Sequence, residues 1–156
     1  MSKSLKRVRA ALEGLGLVAD IREMPGETRT AQQAADAAGC ALDQIAKSII
    51  FRGQDSGTAI LFLTAGGNQV DARKASAVAG ETLGKADAAL IRTQTGFAIG
   101  GVAPVGHLTP ITAFFDARLL DFDVVWGAAG TPRHIFPIDP AVLLRVTGAK
   151  QADFTI

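Results

Sequence analysis

Apolar residues recur at Leu5, Val8, Leu12 and Leu15, a spacing of three and four that lays one stripe along a helix. Gly14 or Gly16 supplies its stop. Residues 17–24 read as a strand, followed by a Pro25-Gly26 turn. Thr30 and Gln33 stand three apart ahead of an alanine-rich stretch, the spacing of a capping box, and the helix they open ends at Gly39. A short helix from Leu42 leads into a strand over 48–52. Residues 53–57 (Gly-Gln-Asp-Ser-Gly) then form a hairpin loop that returns into the apolar run 58–64. Asp71 caps a helix through Val78, and a further short helix covers 88–95 with Gly96 as its stop. The second half is mostly strand, with short apolar runs at 111–115, 122–126 and 134–138 between turn residues. Asp139 as N-cap and Pro140 at the first helical position start the last helix, which Gly148 closes.

Helices mixed irregularly with hairpin-linked strands predict an α+β fold, a mixed and largely antiparallel sheet with helices packed around it. No linker, repeat or low-complexity tract interrupts the chain, so residues 1–156 read as one domain. At 156 residues it is long enough to bury a substantial core without disulfides or metals. With 48% apolar and 20% charged residues it is compact rather than disordered. The single cysteine, Cys40, excludes an internal disulfide and a cysteine-rich zinc site, and its place just after a helix end marks a small packing residue. Charges are spread through the apolar positions of the amino terminus, where a signal peptide would need an unbroken apolar core. No run approaches membrane-spanning length. The expectation is a soluble, cytoplasmic protein with no membrane partner.

Sixteen Lys and Arg against fifteen Asp and Glu leave a net charge of +1, which argues against a protein that grips duplex DNA. Such proteins neutralise many phosphates and show a strongly basic surface. The cluster Lys3, Lys6, Arg7 and Arg9 is equally natural as the solvated face of a helix. There is no tyrosine and one tryptophan, Trp126, so stacking platforms are scarce. Brief recognition of a single-stranded nucleic-acid end, with few phosphate contacts, remains compatible.

Several familiar chemistries are absent. The two histidines, His107 and His134, have no helical pairing suited to zinc. No Gly-x-Ser-x-Gly elbow and no phosphate-binding Gly-x-x-x-x-Gly-Lys-Ser/Thr loop occurs, and the Gly100-Gly101 segment lacks the strand-to-helix setting of a dinucleotide site. No metal or cofactor is expected. What stands out is the stretch 98–107, Ala-Ile-Gly-Gly-Val-Ala-Pro-Val-Gly-His. It reads either as a tight bend between strands or as a stiff apolar loop whose open amides receive a carbonyl or carboxylate oxygen. Lys47, at the start of an apolar strand, is either a solvated lysine at a helix–strand junction or a cation placed to hold a phosphate or polarise a carbonyl. His134, after the turn Gly130-Thr131-Pro132-Arg133, is a packed strand histidine or a positioning group. His107, three residues past Pro104, orients the loop. Arg73 and Lys74 form a solvated helix face or, alternatively, touch phosphate.

Three ordered segments carry a resemblance. They are 42–51 (Leu-Asp-Gln-Ile-Ala-Lys-Ser-Ile-Ile-Phe), the glycine stretch 98–107, and 126–136 (Trp-Gly-Ala-Ala-Gly-Thr-Pro-Arg-His-Ile-Phe) with the helix opening at Asp139. Together they resemble the YbaK/ProX family of aminoacyl-tRNA deacylases, which is similar to the editing domain inserted in bacterial prolyl-tRNA synthetases. The resemblance runs from near Thr30 to near Gly148. It implies a strongly curved sheet with a cleft between its open end and the glycine loop. It further implies a free-standing editing hydrolase that removes a small amino acid from a mischarged tRNA by attack of water on the ester, assisted by the substrate's 2′-hydroxyl. On that resemblance Lys47, Gly100 and Gly101 are the catalytic positions, with the amides of 100–102 stabilising the oxyanion. Val102, Pro104, His107, Thr131 and His134 are then substrate-binding. The partners implied are the tRNA acceptor end carrying an amino acid and an aminoacyl-tRNA synthetase. A second reading is a non-catalytic module that binds a tRNA end or aminoacyl ligand beside a synthetase. A third, a structural partner protein, would show no dependence on Lys47 or the glycine loop.

Overall fold

The computed structural model describes residues 2–156, so the first position of the expected 1–156 unit lies outside it. Helix α1 (Lys3–Gly14) buries the predicted stripe Leu5, Val8 and Leu12, and Ser2 accepts the Leu5 N–H as its cap. The predicted strand over 17–24 contracts to β1 (Arg22–Glu23). The chain before it folds back on itself through an Asp20 N–H to Val18 carbonyl bond, which takes those residues out of any ladder. Helix α2 (Ala31–Ala38) carries both bonds of the Thr30–Gln33 capping box and ends at Gly39. A 3₁₀ turn at Leu42–Gln44 precedes β2 (Ala46–Gly53), which pairs antiparallel with β3 (Ala59–Ala65). Every residue of β3 is buried, as a near-continuous apolar run requires of a central strand.

Asp71 caps α3 (Ala72–Ala79), Asp87 caps α4 (Ala88–Thr95), and Asp139 caps α5 (Pro140–Thr147). Between them lie β4 (Leu83–Lys85), β5 (Thr112–Phe115), β6 (Val125–Ala128) and β7 (His134–Ile138), with β8 (Lys150–Gln151) after α5. Strand β6 starts three residues later than its apolar pattern predicts. Phe122 is drawn instead to the end of a 3₁₀ helix, under the Arg118 guanidinium.

The α+β class holds, and the strands form two sheets. One runs β4-β2-β3-β5-β8, with β3, β5 and β8 mutually parallel and the β2 pairings antiparallel; the other is the antiparallel β1-β7-β6. A lone parallel bridge, Ile45 to Trp126, ties them together at the entrance of β2. Beyond it the strands diverge. Helix α1 packs against Phe97, Val102, Ala103, Val105 and Phe136 on one side of this junction. Phe62, Phe114 and Phe154 fill the far face of the large sheet.

Asp116 fastens the corner where β3 ends. Its carboxylate is buried and accepts from the Ala65 N–H at 3.0 Å, the Asn68 Nδ2 at 2.9 Å and the Arg118 N–H at 3.0 Å. Asp116→Ala leaves these donors without an acceptor. We predict a loss of about 2–4 kcal/mol in urea unfolding, with Asp116→Asn recovering part of it, since a lone buried donor costs about 1–3 kcal/mol. A midpoint unchanged in Asp116→Ala would contradict this account.

Candidate functional site

Because β2 and β6 part after the Ile45–Trp126 bridge, β2 keeps an unpaired edge until β4 joins it at Phe51. The Gly53 N–H goes to Thr58 across the hairpin, whereas the Gln54 N–H goes to Thr82 on the β4 side. Main-chain groups alternate along an antiparallel ladder. Ser48 therefore turns its N–H and C=O toward the open edge. A cleft of about 390 Å³ opens there. Its walls are Ala46 to Ile50 on one side and Trp126, Gly127 and Ala128 on the other. The start of α2 and the glycine loop at Ile99, Gly100 and Val102 close it.

Lys47 lines this cleft and is half-buried. Its ammonium donates to the Asn68 carbonyl at 2.5 Å. Burial pushes its pKa below the usual lysine value, and the carboxylates of Asp116 and Asp43 pull it back up. Asp43 is itself fixed by the Gly67 N–H at 2.8 Å and the Arg118 Nε at 3.0 Å. The lysine thus belongs to a tethered network rather than to a solvated junction.

The glycine loop is a turn. The Gly101 N–H donates to the Ala98 carbonyl at 3.1 Å, and Gly100 at the third turn position has φ +92°, as a type II turn demands of it. This corrects the expectation for Gly101: its amide is consumed by the turn, and the residue does not line the cleft. What requires a glycine there is another backbone. A Cβ at 101 would stand 3.0 Å from the main chain of Thr131. The Gly100 and Val102 amides have no acceptor among the described residues, and both residues line the cleft.

The remaining expected site residues divide. Pro104 and His107 lie away from Lys47 on a second, more open cleft of about 600 Å³, beside α1. Pro104 packs behind β6, its Cγ 3.3 Å from where a Gly127 Cβ would be. The His107 Nε2 meets the Ala103 carbonyl at 2.7 Å, and its ring stands edge-on to Phe97, which Arg7 covers from 5.0 Å. These contacts brace the loop from behind, which is a supporting place and not a substrate-facing one. Thr131 and His134 bond each other at 2.6 Å and also stay outside the cleft. The turn they belong to anchors a segment that pattern reasoning passed over: the Pro132 carbonyl accepts the Thr28 N–H at 2.7 Å and the Thr28 hydroxyl at 3.2 Å. That segment brings Thr28, Arg29 and Thr30 to the cleft. Ser48 is a second residue that pattern reasoning missed. Its hydroxyl is shielded from water and has no hydrogen-bond partner among the described residues. An isolated serine beside a lysine gives no signal in sequence, because only the divergence of β2 and β6 brings it to the cleft wall. Arg73 and Lys74 lie on α3, where Lys74 pairs with Asp153 at 3.4 Å and bonds the Thr155 carbonyl.

Among the described residues no group of three or more His, Cys, Asp or Glu side chains is placed to hold a metal ion, and no helix is long and apolar enough to cross a membrane. Comparison with known proteins matches residues 25–146 to the family described as aminoacyl-tRNA editing domain. The uncharacterized protein YwhH of Bacillus subtilis (strain 168) is 31% identical over 147 residues, covering 94% of this chain and 93% of that protein. A crystal structure of a candidate trans-editing enzyme for prolyl tRNA synthetase superposes with a TM-score of 0.92 at 46% identity, covering 100% of this chain and 99% of that one. The hypothetical protein APE2540 superposes with a TM-score of 0.88 at 27% identity, covering 96% and 99%.

His107 generates a prediction about pH. Burial, reinforced by the Arg7 charge and opposed by the Ala103 carbonyl, holds its imidazole pKa below the ordinary 6.5. The unfolded chain therefore takes up this proton first. The contribution to stability is present above about pH 6.5 and is lost as pH falls through the lower folded value. Melting temperature should drop on acidification from about pH 7 to pH 5, and the drop should be shallower in His107→Gln. Parallel pH profiles for the two proteins would refute this.

Proposed function

The chain belongs to the aminoacyl-tRNA editing domain family, and we propose that it is a free-standing hydrolase acting on mischarged aminoacyl-tRNA. The observation that carries this reading is the convergence, in one cleft, of a tethered half-buried cation with two unpaired main-chain amides. Those are the parts an activated ester needs. Water attacks the ester carbonyl, and the negative charge that develops on its oxygen is met by the N–H groups of Gly100 and Val102, with Lys47 stabilising it electrostatically. The acyl–oxygen bond to the ribose then breaks. The ribose oxygen takes up a proton, leaving intact tRNA and a free amino acid.

Among the described residues, no Asp, Glu, His or Cys lines the cleft. The general base is therefore sought on the substrate itself, where the hydroxyl beside the ester can assist the attacking water. Ala34, Ile45, Trp126 and Ile135 form an apolar wall, which suits a small amino-acid side chain. A second pocket of this kind supplies discrimination that a synthetase's first pocket lacks. The similarity to a candidate trans-editing enzyme supports action on substrates released by a synthetase, in the cytoplasm, with the acceptor end of tRNA as principal partner.

A deacylation screen across tRNAs charged with small amino acids tests the reading. Turnover is expected for at least one of them, with Lys47→Ala about a hundredfold slower and still folded, the effect of losing a charged contact of a few kcal/mol in the transition state. Full-rate turnover by a folded Lys47→Ala protein would remove the lysine from the mechanism. Tight binding of tRNA without turnover by the wild type would favour the non-catalytic reading.

A methyl group at Gly100 provides a second check. The missing Cβ would sit 3.4 Å from the Arg29 Cγ, at a backbone φ of +92° that L-residues rarely adopt. Gly100→Ala should slow deacylation more than Gly101→Ala does relative to the stability each loses. Equal effects per unit of lost stability would make the loop a bend only.

A further inference from the structure

Among the described residues, Arg29 and Lys47 are the only charged ones lining the cleft, and no carboxylate lines it. They occupy different depths. The lysine is half-buried and drawn to the Asn68 carbonyl, whereas half of the Arg29 side chain is in water. The arginine's main chain is held firmly. Its N–H goes to the Gln33 Oε1 at 3.1 Å, and its neighbours Thr28 and Thr30 are fixed by the Pro132 carbonyl and by the cap of α2. Its stem lies over Gly100, where the Nη1 is 3.5 Å from the position a Cβ would take. Glu27 approaches the Nε at 3.3 Å. Neither terminal nitrogen of the guanidinium makes a hydrogen bond among the described residues. Terminal guanidinium donors free of hydrogen bonds at the mouth of an apolar cleft suit a planar or tetrahedral oxyanion.

A polynucleotide whose terminal ester sits inside the cleft must leave through this mouth, with its first phosphodiester at the rim. We propose that Arg29 binds that phosphodiester and so anchors the acceptor strand while the ester is presented to the glycine loop. The inference rests on the editing reading for the identity of the ligand. It assigns Arg29 a substrate-binding role separate from the reacting carbonyl.

Arg29→Gln, an exposed substitution, separates the possibilities in two arms. In the first, a short single-stranded RNA ending in CCA is titrated at several salt concentrations. The variant is expected to bind about tenfold more weakly, with a log–log salt dependence shallower by about 0.7, the effect of one lost phosphate contact on a single strand. Arg29→Lys should keep the slope. Unchanged affinity and slope in Arg29→Gln overturn the proposal. In the second arm, an aminoacylated minihelix is compared with 2′(3′)-aminoacyl-adenosine, which carries the ester and no phosphate. The variant should raise KM for the minihelix with kcat preserved, and leave the phosphate-free ester unaffected. An equal fall of kcat on both substrates would place Arg29 at the ester and overturn the proposal. A wild-type protein that cleaves neither substrate defeats the hydrolase reading, and the RNA titration then decides the role of Arg29 by itself.

Discussion

The structure depends on the separation of two strands that start together. Ile45 and Trp126 bridge β2 to β6, and the two sheets then turn away from each other. A strand edge left unpaired inside a protein must find other partners for its polar groups, because burying them unsatisfied is costly. Here the divergence keeps the β2 edge open as the wall of a cleft, with β4 arriving only at Phe51 to end it. A ligand can use hydrogen-bonding groups that the fold has left free.

Around that wedge, rigidity comes from a few long-range tethers. Asp116 collects three donors at the end of β3, one of them from the same Asn68 whose carbonyl holds Lys47. Asp43 joins the turn before β2 to the Gly66-Gly67 corner and to Arg118. The carboxylates of Asp116 and Asp43 thus oppose the desolvation of the ammonium without themselves entering the cleft. An acidic residue in the cleft would neutralise the lysine and repel an anionic ligand. Set just outside, the same charges support it.

The opposite wall is ordered from behind. Arg7, Phe97 and His107 stack beneath the loop, and Pro104 seats it against Gly127. Gly101 lets the loop touch the Thr131 main chain, whose turn in turn carries Thr28 and Arg29. The glycine pair therefore divides its work. Gly100 supplies the left-handed turn position beside the cleft, and Gly101 supplies the close approach of two backbones.

What depends on neighbours a few residues apart was legible in the chain alone. The stripe of α1, the capping box of α2, the aspartate caps of α3 and α5, and the Pro140 and Gly148 boundaries were all readable because helix periodicity and capping are local. So were the β2–β3 hairpin, the unusual glycine stretch, and a lysine entering an apolar strand. Tertiary structure decided the rest. The strands β4 and β8 are two or three residues long and exist only because a neighbour's edge is there to pair with. Which loop amide is spent on a turn, that His107 and Pro104 belong to a different cleft, and that Arg29 reaches the distant Gly100 depend on packing between distant segments. A residue type announces the chemistry it can perform. Whether its donors and acceptors remain free to perform it is fixed by contacts distant in sequence, which no local pattern encodes.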